Sequence, residues 1–301
     1  MPNTINKKCR VLVFGNCQSR IIAGILKANL NRDKYDVDFL INNVRSKGFK
    51  GEDAAYSTVA ESDILICQPL GKRHGKLAFS YIQDSLKNKC KFVTYPYIFN
   101  SGIQSLGYVV NSQKNSYGEI YGSEAIVKSI SDIGYEATVE AFKAGNIDFS
   151  LMERFNFCID ELRRREVDLD IKLTDYILEN YQHQQLFISH NHPTKTLFKE
   201  LVRQAVELLD ICPGFQGHKR DYDNIKSLID TGAGYSPHDA KVHNYQFGYH
   251  SDWSDRGIHL IEMIYKAHFL NQEVEPKIYE SSIKYPDVKA DSLVPVVSVT
   301  K

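Results

Sequence analysis

Ten histidines and six cysteines give the chain material for acid–base and nucleophilic chemistry. Two of them, Cys17 and His192, sit in settings that suit it. Cys17 lies in Val11-Leu12-Val13-Phe14-Gly15-Asn16-Cys17-Gln18. Four apolar residues in a row read as a short buried strand of a parallel sheet. Gly15 and Asn16 break the run and tolerate a tight turn. Ile21, Ile22, Ile25, Leu26 and Leu30 then recur at helical spacing. Cys17 is therefore expected between the carboxyl end of the first strand and the amino end of the first helix, where open α/β sheets bind ligands. Unpaired N–H groups at a helix start favour anions, and a thiolate over a thiol. An ordinary cysteine, with a pKa of about 8.5, is only a few per cent thiolate at neutral pH. The expectation is a depressed pKa and a thiol that reacts before the other five. The competing reading is a small residue filling a turn.

A cysteine nucleophile needs a base, most often histidine. His192 stands in the polar turn Ser189-His190-Asn191-His192-Pro193-Thr194, between the short apolar run Phe187-Ile188 and a helical stripe. His190 is its nearest competitor, and a polar loop histidine without chemistry is the plainer alternative. His74, in Gly71-Lys72-Arg73-His74-Gly75, suits contact with an anionic ligand, as do Lys72, Arg73 and Arg20 beside the first and third strand ends. The run Arg163-Arg164-Arg165 reads first as a solvated helix face. His238, His243 and His250 fall in an irregular region without HExxH or comparable spacing, so no metal site is expected.

Several function classes recede on composition. Lys plus Arg, 37, equal Asp plus Glu, 37, so no global field points to nucleic acid or an anionic membrane. Cys9, Cys17, Cys67, Cys90, Cys158 and Cys212 are scattered without a CxxC pair, against a zinc site or a disulfide framework. No P-loop and no GxGxxG occurs, which disfavours a kinase or a Rossmann dehydrogenase. No apolar run reaches the roughly 20 residues of a membrane span, and residues 1–10 are polar. The chain reads as a cytoplasmic protein with reduced thiols.

The elements that must position these residues follow the same pattern. Residues 35–41, 62–70 and 90–96 read as further strands, and residues 72–86 hold a helix. The order is that of three to five parallel strands covered by helices. Asn16-Cys17, Gln68 and Thr94-Tyr95 then lie along one sheet edge. Residues 97–123 read as a long loop. Residues 124–210 read as mostly helical, with one apolar stripe at Leu151, Phe155, Cys158, Ile159 and Leu162 and another from Leu197 to Leu209. The expected organisation is an α/β core over 1–212, flavodoxin-like in flavour, containing the helical segment 124–210. An irregular extension over 213–301 would pack on it, with a helix at 258–270 and an edge strand at 294–299.

The ordered set Val-Phe-Gly-Asn-Cys-Gln, Ile-Cys-Gln-Pro-Leu, Tyr-Pro, Leu162-Arg163-Arg164-Arg165-Glu166 with Asp175-Tyr176-Ile177, and Asn191-His192-Pro193-Thr194 resembles the WcbI-type polysaccharide biosynthesis acetyltransferases over about residues 9–210. The resemblance implies coenzyme A binding and an active site with Cys17 and His192. Gln18 and Gln68 would lie nearby and, with Asn16, serve the oxyanion or the substrate. It carries nothing about residues 213–301. A more distant similarity is to SGNH hydrolases, whose Gly-Asp-Ser follows the first strand. Here the nucleophile would be sulfur, and Ser189 stands three residues before His192, where those hydrolases have Asp. The expected function is acetyl transfer from acetyl coenzyme A to a sugar hydroxyl. The alternatives are a thiol-dependent esterase or deacylase on glycans, and a glycan- or nucleotide-binding module suggested by 18 Tyr and 15 Phe.

Overall fold

The computed structural model describes residues 7–42, 52–111, 116–212, 235–247, 249–250, 253–272 and 283–284. The chain begins β1 (Cys9–Gly15), α1 (Gln18–Asn29), β2 (Tyr35–Ile41), α2 (Glu52–Ala60), β3 (Ile64–Cys67), a 3₁₀ segment (Lys72–Leu77), α3 (Phe79–Ser85) and β4 (Lys91–Thr94). It continues β5 (Gly107–Asn111), β6 (Ser116–Tyr121), α4 (Ser123–Ile133), α5 (Tyr135–Lys143), α6 (Leu151–Glu166) and α7 (Thr174–Asn180). Then follow β7 (Phe187–Ser189), β8 (His192–Pro193), α8 (Lys195–Leu209), α9 (Pro237–His243), β9 (Tyr249–His250), α10 (Trp253–Phe269) and β10 (Ile283–Lys284).

These elements form two compact units that do not follow chain order. The first takes residues 1–103, 152–181 and 185–232, the second 104–151, 182–184 and 233–301. The helical segment expected as one piece over 124–210 is thus divided between them.

The first unit is an α/β layer structure. Its sheet has the order β2-β1-β3-β4, all parallel. Strand alternation sends Leu12, Phe14, Leu65 and Cys67 to one face, where they join Ala55, Val59, Leu77 and Ile82 in a common apolar cluster. Val11, Val13, Ile64 and Ile66 point to the other face and are equally buried. α1 packs with α8 and with β2, and α8 with β4. The apolar stripes expected on α1, α6 and α8 are buried, Ile22, Ile25, Leu26, Leu197, Leu201 and Val202 completely, except for Leu208 on α8, which is exposed. Burying each such side chain contributes about 1.5–3 kcal/mol.

Strand order 2-1-3 reverses direction at β1. β2 lies to one side of β1, and the chain then crosses over to place β3 on the other. A crevice outside the carboxyl ends of β1 and β3 follows from that reversal. The hydrogen-bond ladder runs past the strand ends: Asn42 N donates to Gly15 O (2.7 Å), Gln68 N to Phe14 O (2.8 Å) and Tyr95 N to Cys67 O (2.9 Å). Asn42, Gln68 and Tyr95 are thereby set around the Gly15-Asn16 turn.

The second unit holds the hairpin β5–β6, α4, α5, α9 and α10. Its core is Leu106, Ile126, Ile130, Ile147, Phe149, Leu260, Ile261, Met263 and Ile264, among others. Asp239 is completely buried there and accepts from Ser105 N (2.7 Å) and Ser236 N (2.8 Å). The sequence reading saw residues 97–123 as a loop, and the antiparallel hairpin corrects it. Its Tyr-Val-Val run carries the strand propensity. Helix α9, in a region read as irregular, starts from a capping box between Ser236 and Asp239 with Pro237 at its first turn. The proposed edge strand at 294–299 lies outside the described residues.

Gly15 is the one position in the first strand's end that cannot take a side chain. A Cβ there would lie 2.0 Å from Tyr95 Oη and 3.2 Å from Gln68 Cβ. Gly15→Ala should therefore destabilise the protein by about 1–3 kcal/mol, as overpacking does. Adding Tyr95→Phe should recover part of that loss, because the nearest remaining ring atom, Cζ, would lie at 3.1 Å. Denaturant midpoints of the single and double variants measure this, and strict additivity would refute the close approach.

Candidate active site

Asn16 shapes the turn that carries Cys17. Its carbonyl accepts Ser19 N–H (3.0 Å) and Ser19 Oγ (2.8 Å), and its side-chain Oδ1 accepts Gln18 N–H (2.9 Å). The first amides of α1 are thus already satisfied. Asn16 N–H in turn donates to Gln68 Oε1 (3.1 Å), which joins the β1 and β3 ends across the crevice.

Gln18 is buried and fully engaged. Its Nε2 donates to Ile98 O (2.8 Å) and to Asn191 O (3.1 Å), and Ile98 N–H points back to its Oε1 (3.4 Å). An amide whose two N–H groups both serve the protein's own backbone has none left for a substrate oxyanion. Gln18 is a positioning residue, correcting the expectation that it serves the oxyanion. The bond to Asn191 O matters most. It fastens the residue after Cys17 to the residue before His192, and so brings together two segments far apart in sequence.

The pair β7–β8 holds the histidine turn. His192 Nδ1 lies 2.5 Å from Ser189 Oγ, and Ser189 Oγ donates to Asn191 Oδ1 at 3.4 Å. Either atom of that contact can donate; with Nδ1–H donating to Ser189 Oγ, the lone pair is left on Nε2. That is the tautomer a general base requires. Ser189 occupies the position three residues before the histidine where a carboxylate was missed in the sequence. Burial pushes the His192 imidazole below its ordinary value of 6.5. His190 is buried, edge-on to Phe99, and its carbonyl accepts Asn100 N–H.

Cys17 is exposed, whereas Cys67 and Cys158 are buried and Cys9, Cys90 and Cys212 are half-buried. Its thiol nevertheless has a raised pKa. Crowding by the surrounding protein raises it, and the N–H groups of Cys17 and Gln18 only partly offset that. The expected depression fails because burial of the thiol outweighs what the N–H groups of Cys17 and Gln18 supply, and Gln18 N–H is shared with Asn16 Oδ1.

Beside this turn, outside the β1 and β3 ends, is a pocket of about 880 Å³. Asn16, Gln68, Lys72, Arg73 and His74 line it, as the sequence placed them. Arg20 is exposed on α1 and is not among the lining residues, so the structure does not bring it to this pocket. The sequence reading missed Asn42 and Tyr97, and treated Arg165 as a solvated face; all three line the pocket. Asn42 carried a signal, as the residue just past the second strand. Arg165 is brought in by Asp170, whose carboxylate accepts Thr94 N–H (2.8 Å) and Thr94 Oγ1–H (2.7 Å) at the end of β4. Glu166, the last residue of the Arg-rich motif, is buried and accepts from Leu173 N–H, Thr174 N–H and Thr174 Oγ1–H. It anchors the start of α7 and takes no part in the pocket. Among the described residues no group of three His, Cys, Asp or Glu could hold a metal ion.

A family model for the polysaccharide biosynthesis enzyme WcbI matches residues 10–214, about two thirds of the chain. The chain belongs to the WcbI family. It is accordingly an enzyme of polysaccharide biosynthesis. A solved WcbI structure, described as a novel polysaccharide biosynthesis enzyme in native form without a disulfide bond between coenzyme A and one of its cysteines, is 18% identical. It covers 88% of this chain and 96% of its own with a TM-score of 0.60, which shows the WcbI fold here. No curated protein matches the sequence. No described helix is long and apolar enough to cross a membrane.

The thiol's state is directly measurable. Cys17 should be alkylated before the buried Cys67 and Cys158, because access favours it. Its rate should keep climbing past pH 9, since the thiol titrates above the ordinary cysteine range. Peptide-resolved iodoacetamide kinetics across pH test this, and a plateau near pH 7 would mean the helix end dominates after all.

Proposed function

We propose that this enzyme transfers an acyl group, acetyl from acetyl coenzyme A, to a sugar hydroxyl during polysaccharide biosynthesis, using Cys17 and His192 as the reacting pair. The observation that carries the reading is the Gln18–Asn191 bond, which sets the cysteine turn and the base-bearing histidine turn side by side. The pocket lined by Asn16, the residue before Cys17, supports it. A volume of about 880 Å³ is within the usual range for cofactor-sized ligands. Lys72, Arg73 and His74 would hold the phosphates of coenzyme A, and the solved WcbI relative is itself described with reference to coenzyme A and a cysteine.

The chain's own groups balance the transfer in two ways. In the first, His192 Nε2 takes the Cys17 proton and the sulfur attacks the thioester carbonyl. The acyl group moves to Cys17, and the leaving thiolate takes the proton back from His192. His192 then deprotonates the sugar hydroxyl, whose oxygen attacks the acyl-cysteine, and the thiol is restored by the same proton. In the second, His192 deprotonates the sugar hydroxyl directly. The oxygen attacks the thioester while Gln68 Nε2 faces the developing oxyanion, and the departing coenzyme A thiolate takes the proton from His192. Both need a neutral imidazole, as its lowered pKa provides. The raised Cys17 pKa makes the first path depend on His192 for proton removal.

Release of coenzyme A thiol from acetyl coenzyme A, measured with and without sugar acceptors, tests the function. Sugar-independent release would indicate a hydrolase, and no release the binding module. Cys17→Ala and His192→Ala should each lower sugar-dependent turnover by about 10²–10⁴-fold. In the acyl-cysteine path the double variant should cost little more than either single one, because the two act as a unit. Arg73→Ala should raise KM for acetyl coenzyme A, and Arg20→Ala should leave it within about twofold.

The pH profile gives a second check. A base with a depressed pKa stays neutral further into acid, so the acid limb of kcat/KM should lie below 6.5. Ser189→Asp would place a carboxylate on Nδ1, stabilise the imidazolium and move that limb to higher pH. A limb that does not move would mean that His192 is not the titrating base.

A further inference from the structure

The segment after β4 runs alongside the histidine turn. Ile98 O and Asn191 O both accept from Gln18 Nε2, and Asn100 N–H donates to His190 O (2.8 Å). Tyr97 and Phe99 are half-buried, whereas Ile98 and Asn100 are buried. That alternation places Tyr97 and Phe99 on one side of an extended segment. Their rings stack, with centroids 6.0 Å apart and planes 26° apart. Phe99 meets His190 edge-on, and Tyr97 lines the pocket. The aromatic pair leads from the pocket to the turn that carries His192. The bonds to Gln18 and His190 fix it in place before any ligand arrives.

A polar group stands beside the base. Ser189 Oγ lies 2.5 Å from His192 Nδ1 and 3.4 Å from Asn191 Oδ1, so the Asn191 amide and the imidazole meet at one hydroxyl. Asn191 is half-buried. It spends its carbonyl on Gln18 and its Oδ1 on Ser189, and its Nδ2 makes no hydrogen bond among the described residues. Two donor hydrogens are therefore left for a ligand oxygen next to His192.

Tyr97, Phe99 and Asn191 carry no charge. A phosphate would find no cation among them. They suit an uncharged ring of carbons bearing hydroxyls. The C–H face of a pyranose packs on the negative face of an aromatic ring, and the amide donates to a hydroxyl oxygen.

We infer that Tyr97, Phe99 and the Asn191 side chain form the acceptor subsite. It holds an uncharged pyranose by its C–H face, with a hydroxyl neighbouring the reactive one on Asn191 Nδ2. The assignment of this ring to the acceptor rests on the acyl-transfer reading.

Saturation-transfer NMR of the full chain with the methyl glycosides of glucose, galactose and mannose reads binding without any reaction. At least one should bind at millimolar concentration, with stronger transfer to its ring C–H protons than to its methoxyl. Phe99→Leu keeps apolar bulk and removes the ring. It should erase that preference and weaken binding about 10-fold, with a cooperative thermal transition confirming the fold. Asn191→Ala keeps the carbonyl that Gln18 needs and should weaken binding about 3–10-fold. In turnover, both variants should raise KM for the acylated glycoside and move KM for acetyl coenzyme A by less than about twofold. The inference is overturned if none of the three glycosides binds, or if both variants keep native affinity for them. It is equally overturned if Phe99→Leu raises KM for acetyl coenzyme A instead, which would give the ring to the acyl donor. Glycoside binding that both variants weaken, without transfer from acetyl coenzyme A, would sink the proposed reaction and leave the subsite. Transfer that neither variant alters would sink the subsite and leave the reaction.

Discussion

The Gln18 side chain is the interaction on which the site depends. A single buried amide reaches backbone at Ile98 and Asn191 while its own main chain begins α1. Its partners are the carbonyls of Ile98 and Asn191 and the Ile98 N–H, so removing the amide would take a partner from three backbone groups at once. A longer, flexible or charged residue could not make this pattern, because it requires two donors and an acceptor on one planar group. Cys17 and His192 each come to the site through the residue beside them, not through a contact of their own.

Around that clamp, the parallel sheet supplies placement. In register, Phe14 pairs with Leu40 and Cys67, and Cys67 with Thr94. β3 and β4 end at that level, followed by Gln68 and Tyr95, while β1 and β2 run one residue further, to Gly15 and Ile41, before Asn16 and Asn42. The reversal of strand order at β1 opens the crevice, and Gly15 lets Tyr95 lie across its floor. Tyr95 is completely buried, and burial raises its phenol pKa further, so it remains a neutral hydroxyl there.

Much of this was legible in the sequence where a local pattern carries the information. Four short apolar runs marked the four parallel strands, and helical periodicity marked α1, α6 and α8, because burial on one face forces those spacings. The positions of Gln68, Lys72, Arg73 and His74 followed from their nearness to strand ends. What was not legible depends on contacts between distant residues. Arg165 looks like any helix-surface arginine until Asp170 fastens its segment to Thr94. Arg20, as close to Cys17 in sequence as Arg165 is far, emerges from α1 away from the pocket. The Cys17 pKa failed for a related reason: the surrounding protein buries the thiol, and that burial outweighs the two N–H groups the helix start offers it. The serine that replaces a carboxylate behind His192 could be seen as a residue but not as a hydrogen bond.

These departures give the site a consistent electrostatic character. His192, the proposed base, is an imidazole with a lowered pKa beside a hydroxyl, the Cys17 thiol has a raised pKa, and the adjoining pocket carries cations and neutral donors. A carboxylate behind His192, as in the SGNH arrangement, would stabilise the imidazolium and hold a proton on the base near neutral pH. Ser189 orients the ring without doing so, which keeps Nε2 free to accept. The negative charge that such a site otherwise lacks would arrive with an anionic ligand. Its field would favour the imidazolium that forms when a thiol or a hydroxyl gives up its proton. Proton transfer to His192 would then be easiest when the pocket is filled, and a solvent-exposed cysteine could remain a quiet thiol between turnovers.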